Sequence, residues 1–200
     1  MSQKLVLASN NAKKTAEMQT LLAPLGVEII PQSRLSVGEA EEPHFTFIEN
    51  ALAKARHAAA ATGLPAIADD SGLCVAALDG APGVHSARFA GEPKSDERNN
   101  QYLLEKLSAV PEGERSAWYY CCLALVRHTG DPCPLIADGQ WHGFILAAPR
   151  GHGGFGYDPL FWLPERQQSA AELEPAHKNA LSHRGIAMRQ LLERLRERPL

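Results

Sequence analysis

The segment Lys4-Leu-Val-Leu-Ala-Ser-Asn-Asn-Ala-Lys-Lys14 changes character part-way along. Lys4 to Ser9 is a short apolar run that reads as a buried strand. From Ala12 onward the apolar residues Met18, Leu21, Leu22 and Leu25 recur at helical spacing, with Pro24 near the end. A strand entering a helix through the polar turn Ser9 to Asn11 is the first unit of an α/β protein.

The same grammar continues outward. Val27 to Ile30 reads as a second strand, followed by a polar loop, Gln32 to Pro43, that carries Glu39, Glu41 and Glu42. Thr46-Phe-Ile-Glu49 has capping-box spacing, in which hydroxyl and carboxylate satisfy orphan backbone donors at a helix start. Ile48, Leu52, Ala55 and Ala59 keep the helical period until Gly63 and Pro65 stop it. Ala66 to Ala68 reads as a short buried strand running into Asp69-Asp70-Ser71-Gly72, which puts two acids at a strand end. Asp96 to Val110 reads as a helix with Tyr102, Leu103 and Leu107 inward, Ala117 to Arg127 as a central strand, and Leu135 to Leu146 as one or two more. Arg150 to Asp158 is a glycine-dense loop, and Ser182 caps a helix carrying Met188, Leu191, Leu192 and Leu195.

Composition narrows the function classes. At 200 residues and 44% hydrophobic, the chain is expected to form one globular domain over residues 1–200, without staples. Twenty Lys and Arg against 23 Asp and Glu leave a charge of −3, so no global basic field exists for nucleic acid or an anionic membrane. The longest apolar runs, Ala58 to Ala61 and Leu123 to Val126, fall far short of the ~20 residues of a bilayer span. The first residues lack a secretory core, so a cytosolic chain is expected. Cys74, Cys121, Cys122 and Cys133 form no CxxC pair and read as reduced thiols, with Cys121 and Cys122 as core filler. Seven histidines, His44, His57, His85, His128, His142, His152 and His177, have no ligand spacing and receive no metal role.

Four stretches can carry chemistry. The turn Ser9-Asn10-Asn11-Ala12-Lys13-Lys14 aims backbone N–H groups and a helix dipole at one spot that suits a phosphate. It equally fits an ordinary helix start with solvated lysines, since GxxxxGK[ST] is absent. Asp69-Asp70 with the loop around Glu41 supplies carboxylates of the kind that hold Mg²⁺ beside a triphosphate. Adjacent residues in an extended segment point opposite ways, so one aspartate at most faces a metal. Phe155-Gly156-Tyr157-Asp158 offers a flat ring for a base and an acceptor, in a loop whose glycines leave room. Lys178 stands with Ser182-His183-Arg184, whose His and Arg occupy the first turn of a helix, the end where the dipole disfavours positive charge, so a negative partner is expected there.

In order along the chain stand Ala8-Ser-Asn-Asn-Ala-Lys-Lys14, Phe47-Ile-Glu-Asn-Ala51 with Lys54-Ala-Arg56, Ala68-Asp-Asp-Ser-Gly-Leu73, Gly80-Ala-Pro-Gly83 with Ser86-Ala-Arg88, Gly154-Phe-Gly-Tyr-Asp-Pro159 and Ser182-His-Arg-Gly185. Together they closely resemble the inosine/xanthosine triphosphate pyrophosphatase family, over essentially the whole chain. The resemblance implies an elongated α/β fold, a mixed β-sheet flanked by helices with two lobes around a central nucleotide cleft. It implies a homodimer that uses Mg²⁺ to hydrolyse ITP, dITP and XTP to the monophosphate and pyrophosphate, cleansing the nucleotide pool. By similarity the turn from Ser9 to Lys14 binds the triphosphate, Glu41 and Asp70 hold the metal, and Asp70 is also the general base. Ser71, Phe155 to Asp158, Lys178, His183 and Arg184 match the remaining nucleotide contacts. One departure is visible: many relatives have Asn-x-Gly-Lys where this chain has Asn11-Ala-Lys-Lys14, so Lys13 replaces a glycine. A Maf-like pyrophosphatase acting on other nucleotides, or a nucleotide-binding regulator without chemistry, are the alternatives that a substrate panel separates.

Overall fold

The computed structural model describes residues 3–23 and 26–200, with side chains at all of these except 12–14 and 17. Seven strands form one sheet in the order β2-β1-β3-β4-β5-β6-β7. Strands β1 (Lys4–Leu7), β2 (Glu28–Pro31) and β3 (Ala66–Val75) are parallel neighbours, with Leu5 opposite Ile29 and Val6 opposite Ala66. Parallel neighbours need crossover connections. Helices α1 (Ala12–Leu22) and α2 (Phe47–Thr62) supply them. Strands β4 (Ser116–Val126) and β5 (Leu135–Ile145) follow, and β5, β6 (Phe161–Leu163) and β7 (Gln168–Ser169) pair antiparallel. Helices α3 (Asp96–Lys106), α4 (Pro175–Leu181) and α5 (His183–Glu197) complete the expected α/β architecture with a mixed sheet.

The chain divides into two compact units. The first comprises Met1–Asp70, Cys121–Gly139 and Arg184–Leu200, and the second Ser71–Tyr120 and Gln140–His183. Each has its own apolar cluster. In the first, Leu5, Leu7 and Ile67 of the sheet pack with Met18 and Leu22 of α1 and with Met188, Leu191 and Leu195 of α5, the stripes that helical spacing identified. Cys121 lies in this cluster, and Cys122 is likewise fully buried, as free thiols. In the second, Leu103 and Leu107 pack with Tyr119, Trp141, Tyr157 and Phe161. Leu25, expected on the α1 stripe, falls outside the described residues.

The structure corrects three expectations. Asp69 and Asp70 are not at a strand end: β3 continues without a break to Val75. Asp and Gly disfavour strands, but here both carboxylates find cationic partners. Helix α3 stops at Lys106 rather than Val110, where the Leu107 N–H bonds back to Glu105 and Leu103 carbonyls. Tyr102 is only half-buried and meets Phe89 edge-on at 4.9 Å.

Candidate active site

Strand alternation sends the two central acids to different partners. Asp69 and Asp70 are both buried, at 3% and 7% exposure. Asp69 Oδ2 lies 3.7 Å from the guanidinium of Arg184 in the first turn of α5, which is also buried. This carboxylate is the negative partner that an arginine at a helix N-terminus called for.

Asp70 turns instead toward α2. Its Oδ1 accepts from Lys54 Nζ at 3.1 Å and its Oδ2 from Asn50 Nδ2 at 3.3 Å. Lys54 Nζ also donates to Glu42 Oε1 at 2.8 Å, so one ammonium joins the acidic loop to β3. Burial alone would lower the Lys54 pKa, but the charges of Asp70, Asp69 and Glu42 outweigh it and hold the pKa above its ordinary value. Asn50, almost fully buried, fixes the loop as well, accepting from the His44 N–H at 3.1 Å and donating to its carbonyl at 3.3 Å. Helix α2 can serve all of these because Thr46 caps it, accepting from the Glu49 N–H. The Thr46 hydroxyl donates to the Glu49 carboxylate at 2.6 Å.

Lys54 and Asn50 did not stand out in the sequence as site residues. The signal was their spacing: two polar residues four apart share one helix face, here beside the buried Ala51 and Ala55. In the acidic loop it is Glu42 that shares Lys54 with Asp70, while Glu41 is exposed. Among the described residues no three His, Cys, Asp or Glu side chains gather into a metal centre.

The turn from Ser9 to Asn11 is built as a helix start. Asn11 O accepts the Thr15 N–H at 2.9 Å, and Ser9 Oγ accepts the Asn11 N–H at 3.2 Å. Asn10 is held by its side chain, donating to Glu39 Oε1 at 3.1 Å and accepting from Gln32 Nε2 at 3.0 Å. The side chains of Ala12, Lys13 and Lys14 lie outside the described ones.

In the second unit, Asp158 is the anchor of the glycine-rich loop. Its Oδ2 accepts from the Phe155 N–H at 2.8 Å and from Lys178 Nζ at 2.5 Å, and its Oδ1 accepts from the Tyr119 hydroxyl at 3.4 Å. Asp158 is 3% exposed, so its carboxylate organises neighbouring groups more than it offers itself to a ligand. Lys178 Nζ lies over the Phe155 ring, 4.7 Å from its centroid. His183 stacks on Tyr119, a partner that the sequence did not suggest. Ser71 opens the second unit directly after Asp70, and His183 closes it directly before Arg184. A separate hollow of about 750 Å³ among Trp118, Trp141, Phe144 and Leu163 contains none of the predicted nucleotide ligands in its wall.

A model of the Ham1 family matches residues 5–194. The chain belongs to the Ham1 family. It is 68% identical over 200 residues to the dITP/XTP pyrophosphatase of Aromatoleum aromaticum, covering 100% of both chains. It is 61% identical over 197 residues to the enzyme of the same name from Bordetella pertussis, covering 97% of this chain and 92% of that one. Among solved Ham1 structures, the protein from Coxiella burnetii superposes with a TM-score of 0.93 at 53% identity, covering 98% of this chain and 99% of that one. The Staphylococcus aureus Ham1 protein gives 0.88 at 37% identity with the same coverage. The resemblance carried by the six motifs therefore holds over the whole length of this Ham1 chain.

Proposed function

We propose that this chain is a nucleoside triphosphate pyrophosphatase that hydrolyses ITP, dITP and XTP to the monophosphate and pyrophosphate. The observation that carries the reading within the structure is the treatment of Asp70: a buried carboxylate inside β3, kept beside the largely buried ammonium of Lys54. Asp70 orients a water and takes its proton as the water attacks the α-phosphorus. The bond to the β-phosphate oxygen breaks, and pyrophosphate leaves with no covalent intermediate. Lys14 and the α1 N-terminus neutralise the triphosphate, which carries about four negative charges near neutral pH.

The donor chemistry fits Mg²⁺. Magnesium takes one or two carboxylates and completes its shell with substrate phosphates and water, and Asp70 with Glu41 offers hard oxygens of that kind, with Glu42 adjacent. Bound there, Mg²⁺ supplies charge neutralisation on the phosphates and on the departing pyrophosphate. Lys54 holds Asp70 in place.

Phe155 stacks on the purine, a contact worth ~1–3 kcal/mol that is indifferent to base identity. The 6-oxygen of inosine or xanthosine accepts from Arg184, His183 or backbone N–H donors, whereas adenine presents an amine, so donor faces donor. An unmatched buried polar pair costs about 1–3 kcal/mol, roughly ten- to a hundredfold in rate. Ser71, Gly156 and Tyr157 are the remaining residues assigned to the nucleotide.

No described helix is long and apolar enough to cross a membrane, and a cytoplasmic homodimer is the setting that suits a nucleotide-pool enzyme. Light scattering checks the dimer. Pyrophosphate release with Mg²⁺ across ITP, XTP, dITP, ATP, GTP, CTP and UTP checks the activity: the first three are turned over at least about tenfold faster than ATP, and equal rates across the panel would favour the Maf-like alternative.

A further inference from the structure

Helix α3 holds the glycine-rich loop from the side. Gly156 has φ +63°, a conformation that favours glycine, and a Cβ there would meet nothing within 4 Å. The demand is therefore conformational, and something must hold that conformation. Both polar backbone groups of Gly156 are taken by α3 side chains. Its N–H donates to Asp96 Oδ2 at 2.7 Å, and its carbonyl accepts from Asn100 Nδ2 at 2.8 Å. Residues four apart lie on one helix face, which is why a single helix reaches both sides of one residue. Asn100 Nδ2 also donates to the Asp96 carbonyl at 2.7 Å, and Ser95 caps the helix by accepting from the Arg98 N–H. The loop is fixed again on either side of Gly156, by the Phe155 N–H on Asp158 and by the Tyr157 hydroxyl on the Ser86 carbonyl at 2.8 Å.

We propose that Asp96 and Asn100 are positioning residues for purine recognition: by clamping Gly156 they present the ring of Phe155 in a fixed orientation before the nucleotide arrives. This rests on the reading of Phe155 as the base platform. An ordered loop spares the binding step the entropy of ordering it, so the clamp acts on affinity. Once the nucleotide is seated, the reacting phosphates are unaffected.

The test uses the full chain with three substitutions, Asn100→Ala, Asp96→Ala and Asp96→Asn. Both alanine variants raise KM for ITP about three- to tenfold while kcat stays within about twofold. Asp96→Asn, whose amide oxygen can still accept from the Gly156 N–H, keeps KM within about twofold of wild type. Hydrogen exchange at the Gly156 amide speeds up in Asp96→Ala and stays slow in Asp96→Asn. Asp96 is exposed, so its variants fold even where Asn100→Ala does not. Exchange reports the clamp independently of turnover. A wild-type chain inactive on every deaminated purine triphosphate would defeat the functional reading and, with it, the role given to the clamp. Alanine variants that are active with unchanged KM, or that show wild-type exchange at Gly156, would overturn the clamp alone.

Discussion

The rings of Tyr119 and His183 lie nearly parallel, with centroids 4.8 Å apart and 10° between their planes. The same tyrosine donates its hydroxyl to Asp158. One buried ring thus sets the plane of the histidine assigned to the base edge, and its hydroxyl steadies the carboxylate that anchors Phe155 and Lys178. Tyr119→Phe keeps the stack and loses a long hydrogen bond, a loss of about 0.5–1.5 kcal/mol of stability with kcat nearly unchanged. Tyr119→Ala removes the ring from the core and is expected to cost about 3–5 kcal/mol. Urea denaturation measures both, and equal losses would mean that the ring contributes nothing beyond its hydroxyl.

Lys54 is the charge that the site cannot spare. It is 12% exposed and bonded to both Glu42 and Asp70. Lys54→Met removes the ammonium while keeping most of the volume, leaving two carboxylates to repel one another and the phosphates. We expect kcat/KM for ITP to fall by about a hundredfold or more with the fold retained by circular dichroism. Turnover within a few-fold of wild type would show that Lys54 is only a structural tie.

The Asp69–Arg184 pair has side-chain exposures of 2% and 3%. Breaking a buried pair from one side strands the other charge, which costs about 3–5 kcal/mol. Asp69→Ala is therefore expected to lower stability by that amount, visible as a shifted urea midpoint, whereas Glu41→Ala, at an exposed position, leaves the midpoint near wild type and acts on metal dependence instead.

Four buried acids set an alkaline limit on stability. Burial pushes the Cys74 thiol up to about 11, and burial with the charges of Asp138, Asp70 and Asp69 pushes Cys122 up to about 12, from an ordinary 9.0. Burial likewise raises Tyr119 and Tyr157, helped by Asp158 and Asp96 respectively, above the ordinary 10.0. In each case the unfolded chain releases its proton first, so the folded state binds more protons and stability falls as pH rises past those ordinary values. Lys54, with its raised pKa, keeps its contribution below 10.5 and loses it only as pH climbs through the folded value. Melting temperature should decline from about pH 9 upward, and a flat profile to pH 11 would contradict this. At pH 8 the exposed Cys133 should be the fast-reacting thiol toward a disulfide reagent, since Cys74 and Cys122 hold almost no thiolate there.

Much of this was legible before any coordinates. The strand-turn-helix opening, the Thr46 cap and the α5 stripe were all plain, because each depends on local spacing. So was the opposite facing of Asp69 and Asp70, which follows from alternation alone. The length of β3 was hidden, since Asp-Asp-Ser-Gly looks like a turn until Arg184 and Lys54 are seen to hold its charges. Tyr119 and the Asp96–Asn100 clamp were also hidden, as were the roles of Lys54 and Asn50, which the sequence showed only as members of a family motif. Each acts through a partner far away in sequence, and only the folded chain brings those partners within bonding distance.

The most direct measurement runs ITP hydrolysis with Mg²⁺ in water enriched in heavy oxygen and weighs the products by mass spectrometry. Attack at the α-phosphorus places one heavy atom in inosine monophosphate and none in pyrophosphate, and Asp70→Asn abolishes the reaction in a chain that still folds. Heavy oxygen in the pyrophosphate, release of single phosphates, or an Asp70→Asn variant that still turns over ITP would contradict the mechanism proposed for this Ham1 chain.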